Sequence, residues 1–166
     1  MAQSQQLLQR LIQKPGYEKF MNANPEAVLY AIFAILSSNE KEGDKIQFDF
    51  FIPKLKKIAY SEYPFDEIKV QREEVGFEAK PLDLSKVNLD IEDLWQVVEA
   101  IQLDKKDNSN VNKIIGILKS DSWDISCMTT TLDIIKMKID SSTKQCLSYT
   151  KDNLGNFVQI KKIDKK

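Results

Sequence analysis

The sequence predicts an α+β protein of two related halves, each with helical periodicity leading into an antiparallel meander. Three observations predict this. Apolar residues recur at helical spacing ahead of stretches that alternate with period two. The connections 129–131, 141–144 and 152–155 are hairpin-length. Both halves also pass through Ile-Leu-x-Ser, as Ile35-Leu36-Ser37-Ser38 and Ile117-Leu118-Lys119-Ser120. The expectation is one compact unit over 1–166, made of αβββ pseudo-repeats at 17–80 and 90–163. Residues 1–16 then form a leading amphipathic helix and 81–89 a linker.

Within the first half, Leu7, Leu8, Leu11 and Ile12 give a short helix over 4–13, which Pro15-Gly16 ends. Asn24 suits an N-cap, Pro25 the first helical position and Glu26 the first turn. From 27 to 36 the chain is apolar all round, which predicts a helix covered on most sides. Ile46, Phe48, Phe50 and Ile52 then alternate with Gln47, Asp49 and Phe51, marking a half-buried strand. Pro53-Lys54 breaks it, 55–60 returns, and 67–74 adds a third strand that 75–80 extends.

In the second half, Asp90 caps a helix carrying Ile91, Leu94, Trp95, Val98 and Ile101 on one face. A second capped helix is expected from Ser109 or Asn110, with Val111, Ile114, Ile115 and Leu118 as its apolar set. Strands follow at 123–128, 132–140, 145–150 and 156–162. By strand parity Trp123, Ile125, Ile135, Met137, Ile139 and Leu147 face the helices.

Composition narrows the function classes. Of 166 residues, 42% are hydrophobic and 30% charged, which excludes a disordered chain. The net charge is −1, and Arg10 and Arg72 are the sole arginines, so no global field draws nucleic acid or an anionic membrane. The basic concentrations are Lys54, Lys56 and Lys57, diluted by nearby acids, and Lys161, Lys162, Lys165 and Lys166. The apolar run 27–36 is about half the ~20 residues a membrane-spanning helix needs, and no leader is visible, so the expected compartment is the cytoplasm. Parity puts Cys127 inward and Cys146 outward, which forbids a bridge and leaves two free thiols.

The chemistry-bearing residues point away from catalysis. The chain has no histidine, which removes His-based triads and histidine metal sites. Two cysteines on opposite faces make no zinc site, and no Gly-rich phosphate loop occurs. Asp90, Glu92 and Asp93 cluster at a helix start, where acids stabilise the dipole. Glu73 and Glu74 point to opposite faces of a strand, and the acids of 104–108 and 152–155 lack calcium-loop spacing. Trp95 and Trp123 sit at core positions. No catalytic residue, cofactor or metal is therefore expected.

Binding has one candidate surface. If the Trp123 side of the second-half sheet packs on helices, the other side carries Ser126, Met128, Ile134, Lys136, Lys138, Cys146 and Ser148. Met128 and Ile134, flanked by Lys136 and Lys138, form a modest apolar centre with a polar rim, a pattern common at interfaces. A protein or peptide partner is expected there.

Leu94-Trp95-Gln96-Val97-Val98-Glu99-Ala100-Ile101, then Trp123-Asp124-Ile125, then Ile135 to Ile139, and then Ile139-Asp140-Ser141-Ser142-Thr143-Lys144 resemble the PepSY and PepSY-like family of small α+β domains. Phe48-Asp49-Phe50-Phe51-Ile52-Pro53 is a fainter echo in the first half. The resemblance covers about 75 residues of the second half and about 60 of the first in outline. Lys144 stands where the family usually has Gly. The resemblance implies helices packed on curved antiparallel sheets, a PepSY-like or cystatin-like fold, and a non-catalytic role in inhibiting or regulating peptidases. The favoured reading is a non-enzymatic binding or regulatory module. The alternatives are a self-associating structural subunit and, more distantly, an enzyme using carboxylates and lysine.

Overall fold

Residues 3–153 are described by the computed structural model. Helices α1 (Gln3–Ile12) and α2 (Pro15–Ala23) open the chain. Four strands follow: β1 (Val28–Ser37), β2 (Lys45–Ile52), β3 (Lys57–Glu62) and the two-residue β4 (Lys69–Val70). After short 3₁₀ turns at Leu84–Lys86 and Ile91–Asp93 comes α3 (Leu94–Asp104). The chain continues through β5 (Val111–Lys119), β6 (Ser122–Thr129), β7 (Asp133–Asp140) and β8 (Cys146–Asn153). The strand expected over 156–162 lies outside the described residues.

All eight strands join one antiparallel sheet, in the order β4-β3-β2-β1-β5-β6-β7-β8. Each half is a four-stranded meander, and β1 pairs with β5 at the centre. One face carries Ile32, Phe48, Phe50, Ile114, Leu118, Trp123, Ile125, Ile135, Met137 and Ile139, all buried in a single core with Leu7, Leu11, Phe20, Leu94 and Val98 of the helices. Tyr17 and Phe20 of α2 pack on Phe50, with ring centroids 6.1 and 5.8 Å away.

Two predicted helices are strands. Residues 27–36 and 109–118 form β1 and β5 with their flanks, so each half carries one more strand than the αβββ expectation. An all-round apolar run fits a central strand as well as a buried helix, and periodicity alone does not separate them. Ile and Val with Phe33 and Tyr30 favour the extended form, where branched and aromatic side chains pack well. Gly116 further weakens a helix over 109–118. Asn24 caps the end of α2 rather than the start of a helix: its N–H and its Nδ2 both donate to the Phe20 carbonyl.

Three smaller expectations also change. Pro15 does not merely end the first helix; it occupies the opening turn of α2, where its missing N–H costs nothing. The third strand expected over 67–74 shrinks to β4. In β8 the pairing runs Lys138 to Ser148 and then Ile139 to Cys146, so Leu147 is an extra residue. That bulge turns Leu147 outward, 53% exposed, and brings Cys146 round to the helix side, the reverse of the parity expected for both. The two thiols are nonetheless free.

The connection expected as a linker is packed onto the sheet. Leu82, Leu84 and Leu89 are buried, the Leu82 N–H donates to the Leu29 carbonyl, and Trp123 Nε1 donates to the Leu89 carbonyl at 2.8 Å. Asp90 is buried as well, accepting from the N–H and Oγ of Ser4 and from the Ile91 N–H, which ties α1 to the start of α3. Among the described residues no helix is long and apolar enough to cross a membrane.

Candidate functional site

An antiparallel sheet packed on one side normally alternates apolar-in with polar-out. Here the outer face breaks that rule at its centre. On β1, Phe33 and Ile35 point away from the core, and they stand opposite Ile117 and Ile115 of β5. All four lie outside the core cluster; Ile117 is 37% exposed and the others are half-buried. The stripe is flanked by Lys45 and Gln47 of β2 on one side and by Asp124 and Ser126 of β6 on the other.

The four residues singled out from the sequence share this face. Met128, 37% exposed, pairs directly with Ile134, while Lys136 pairs with Ser126 and Lys138 with Asp124. Ser148 faces the same way, opposite Lys138, but Cys146 does not. Sequence reasoning therefore placed one flank of the surface and missed its middle, because reading β1 and β5 as helices consigned Phe33, Ile35 and Ile115 to covered helix faces and left Ile117 unassigned. The branched residues around Gly116 were the signal that pointed to a strand.

At one end of the stripe a strap, residues 75–81, crosses the outer face. Its ends are fixed by the Val75 N–H on the Lys56 carbonyl and the Leu82 N–H on the Leu29 carbonyl. Phe77 of the strap stacks on Phe51 at 6.4 Å between centroids and leans on Tyr30 at 6.2 Å, yet stays 52% exposed. Beside it opens a groove of about 620 Å³, lined by Tyr30, Asp49, Phe77, Ile117 and Asp124, with Lys80, Lys119 and Lys138 also at its walls. Burial pushes the Asp49 carboxyl up to about 6 against the opposing hydrogen bond from Gln47, whose Nε2 donates at 2.7 Å. Burial, and then the Asp49 charge, push the Tyr30 hydroxyl up to about 12.

A second polar cluster lies on the helix side. Asp107 accepts from the N–H and Oγ of Ser109 at 3.0 and 2.6 Å, from Lys151 Nζ at 3.2 Å and from the Tyr149 hydroxyl. Burial opposes the Asp107 charge, but these hydrogen bonds outweigh it and hold the carboxyl below the usual range. Burial and the Asp107 hydrogen bond raise the Tyr149 hydroxyl. A carboxylate locked as an acceptor and a phenol locked as a donor do not exchange protons near neutral pH. The cluster instead fastens the α3–β5 loop to β8.

Burial pushes the Cys127 thiol up to about 12, which makes it a poor nucleophile. The acids of the Asp90 cluster serve a capping box, in which Asp93 accepts from the Asp90 N–H. Among the described residues no three Asp, Glu, Cys or His side chains are grouped to hold a metal ion.

No protein family model matches the chain, and no curated protein matches it. Among solved structures, a crystal structure of a "putative lipoprotein" from Clostridium difficile 630 superposes with a TM-score of 0.50 at 15% sequence identity. The superposition covers 81% of this chain and 89% of that one, so what the two have in common is the fold.

Proposed function

We propose that this protein is a non-catalytic binding module whose helix-free sheet face docks a partner protein or peptide. One observation carries the reading: Phe33, Ile35, Ile115 and Ile117 form an apolar stripe on the two central strands of the outer face. Water favours polar side chains at such positions, and a contiguous apolar strip with a charged rim is how docking surfaces are composed. Met128 and Ile134 extend the strip, and Lys136 and Lys138 belong to its rim.

The PepSY-like resemblance supports a regulatory rather than a catalytic role. The pseudo-repeat remains part of the proposal. Its best support is that Ile35-Leu36-Ser37 and Ile117-Leu118-Lys119 close β1 and β5, the first strand of each meander. The two free thiols favour a reducing compartment. The neighbour's description points the other way, and cell fractionation decides between them.

Partner capture tests the reading. Ile117→Lys with Met128→Lys should abolish capture while leaving denaturant unfolding close to wild type. Leu103→Lys, on exposed α3 surface, should leave capture intact. Capture unchanged by the folded double variant would move the binding surface elsewhere. A self-associating subunit would use the same strip, and sedimentation of the wild type against the double variant separates that alternative.

A further inference from the structure

The groove beside the strap carries a carboxylate, Asp49, that has no cation among the described residues. No ion pair among the described residues involves Asp49, although Lys80, Lys119 and Lys138 line the same groove. Among the described residues, the one hydrogen bond to its side chain comes from the neutral amide of Gln47. A half-buried carboxylate with no cation is a standing cost to the fold, and such costs concentrate where a ligand relieves them. Around it stand two aromatic rings, Tyr30 and Phe77, tilted 54° to each other, and the exposed edge of the apolar stripe at Ile117. Phe77 is the most exposed member of this set, 52% against 37% for Ile117, and it is carried by a strap pinned at both ends.

We propose that this groove receives an arginine side chain from the docked partner, its guanidinium on the Asp49 carboxylate and its stem against Phe77 and Ile117. Arginine fits better than lysine on chemical grounds. Its planar, weakly hydrated head stacks on aromatic faces and forks onto a carboxylate, whereas a lysine ammonium resists losing its water. Charge complementarity selects the cation: Asp49, Glu78, Asp121 and Asp124 line the groove against Lys80, Lys119 and Lys138, and none of these three lysines pairs with Asp49. The inference rests on the docking reading above and adds the chemistry of one anchor. The partner's segment would pair an arginine with apolar neighbours, which lie on the stripe.

The test uses the full chain and two synthetic peptides, acetyl-Ile-Arg-Ile-amide and its citrulline counterpart, which keeps the shape and removes the charge. NMR titration at millimolar peptide should shift the Asp49 carboxyl and the Tyr30 and Phe77 ring signals with the arginine peptide. The arginine peptide should bind about tenfold tighter than the citrulline peptide, as one charge-assisted pair implies. Asp49→Asn should erase that preference and Phe77→Ala should reduce it, in proteins that remain folded. Equal binding of the two peptides, with shifts confined to Phe33 and Ile117, would overturn the arginine site and leave the docking face standing. No shift at Asp49 or Phe77 would overturn the site as well, while the double-variant capture experiment decides the docking face separately. A dimer that sediments as monomer in Asp49→Asn would assign the groove to a second copy of this chain, and would equally overturn the proposal.

Discussion

A Cβ placed on Gly116 would lie 3.0 Å from ring atoms Cε3 and Cζ3 of Trp123 and 3.6 Å from Leu94 Cδ1. The glycine is thus the floor on which the largest buried side chain of the core rests, between β5 and α3. Gly116→Ala should destabilise the protein by roughly 1–3 kcal/mol through overpacking. Trp123→Ala should cost roughly 3–5 kcal/mol, because it empties a site with no solvent exposure. The two are coupled: in the Trp123→Ala background, Gly116→Ala should be close to neutral. Additive effects in urea unfolding would show that the ring does not rest on the glycine.

Lys144 holds φ +65° in the turn after β7, the left-handed region that suits glycine. The turn is otherwise well made. Asp140 Oδ1 accepts from the Thr143 N–H and from the N–H and hydroxyl of Ser142, and these bonds hold its carboxyl down at about 2. Lys144→Gly should therefore stabilise the fold by about 0.5–1 kcal/mol, measured as a higher urea midpoint at unchanged m-value. A lower midpoint would mean that the lysine side chain contributes something the turn geometry does not show.

Asp49 gives the protein a pH dependence of definite sign. Its folded carboxyl, near 6, binds a proton more tightly than the ordinary value of 3.8. The stability associated with the protonated form is complete below about pH 4 and is lost as pH rises through 6. Asp140 and Asp107, whose carboxyls are held down, act on the acid side of that window. Asp49→Asn should therefore stabilise the protein at pH 7 by about 1–3 kcal/mol, with little effect at pH 4. Chemical unfolding of both proteins across pH 4–7 checks this, and parallel curves would refute it.

The two thiols should react at very different rates. Cys127 is fully buried and its thiol is pushed up to about 12, whereas Cys146 is half-buried on the outermost described strand. Under native conditions a disulfide reagent should titrate Cys146 first, with Cys127 following at the rate of unfolding. Equal rates would place β7 and β8 differently.

The sequence by itself determined the parts in which one periodicity excludes the other. Ile46, Phe48, Phe50 and Ile52 alternate with Gln47, Asp49 and Phe51, and Trp123, Ile125 and Cys127 with Asp124 and Ser126, so β2 and β6 were legible along with the side their core residues face. Asp90 announced the helix at 91–104 because a capping side chain acts locally. The outer face of the sheet was half legible, since Met128 and Ile134 occupy outward positions on strands of clear period. Tertiary structure decided the rest. A run that is apolar on every side satisfies both helical and extended periods, so 28–37 and 111–119 become strands only when β1 and β5 pair with each other and with β2 and β6. The bulge that reverses Leu147 and Cys146 depends on the β7 register, and the burial that raises Asp49 depends on a strap and a hairpin far away in the chain. Local sequence carries propensity and caps. The environment of a side chain, and hence its charge and its chemistry, comes from residues that only the fold brings beside it.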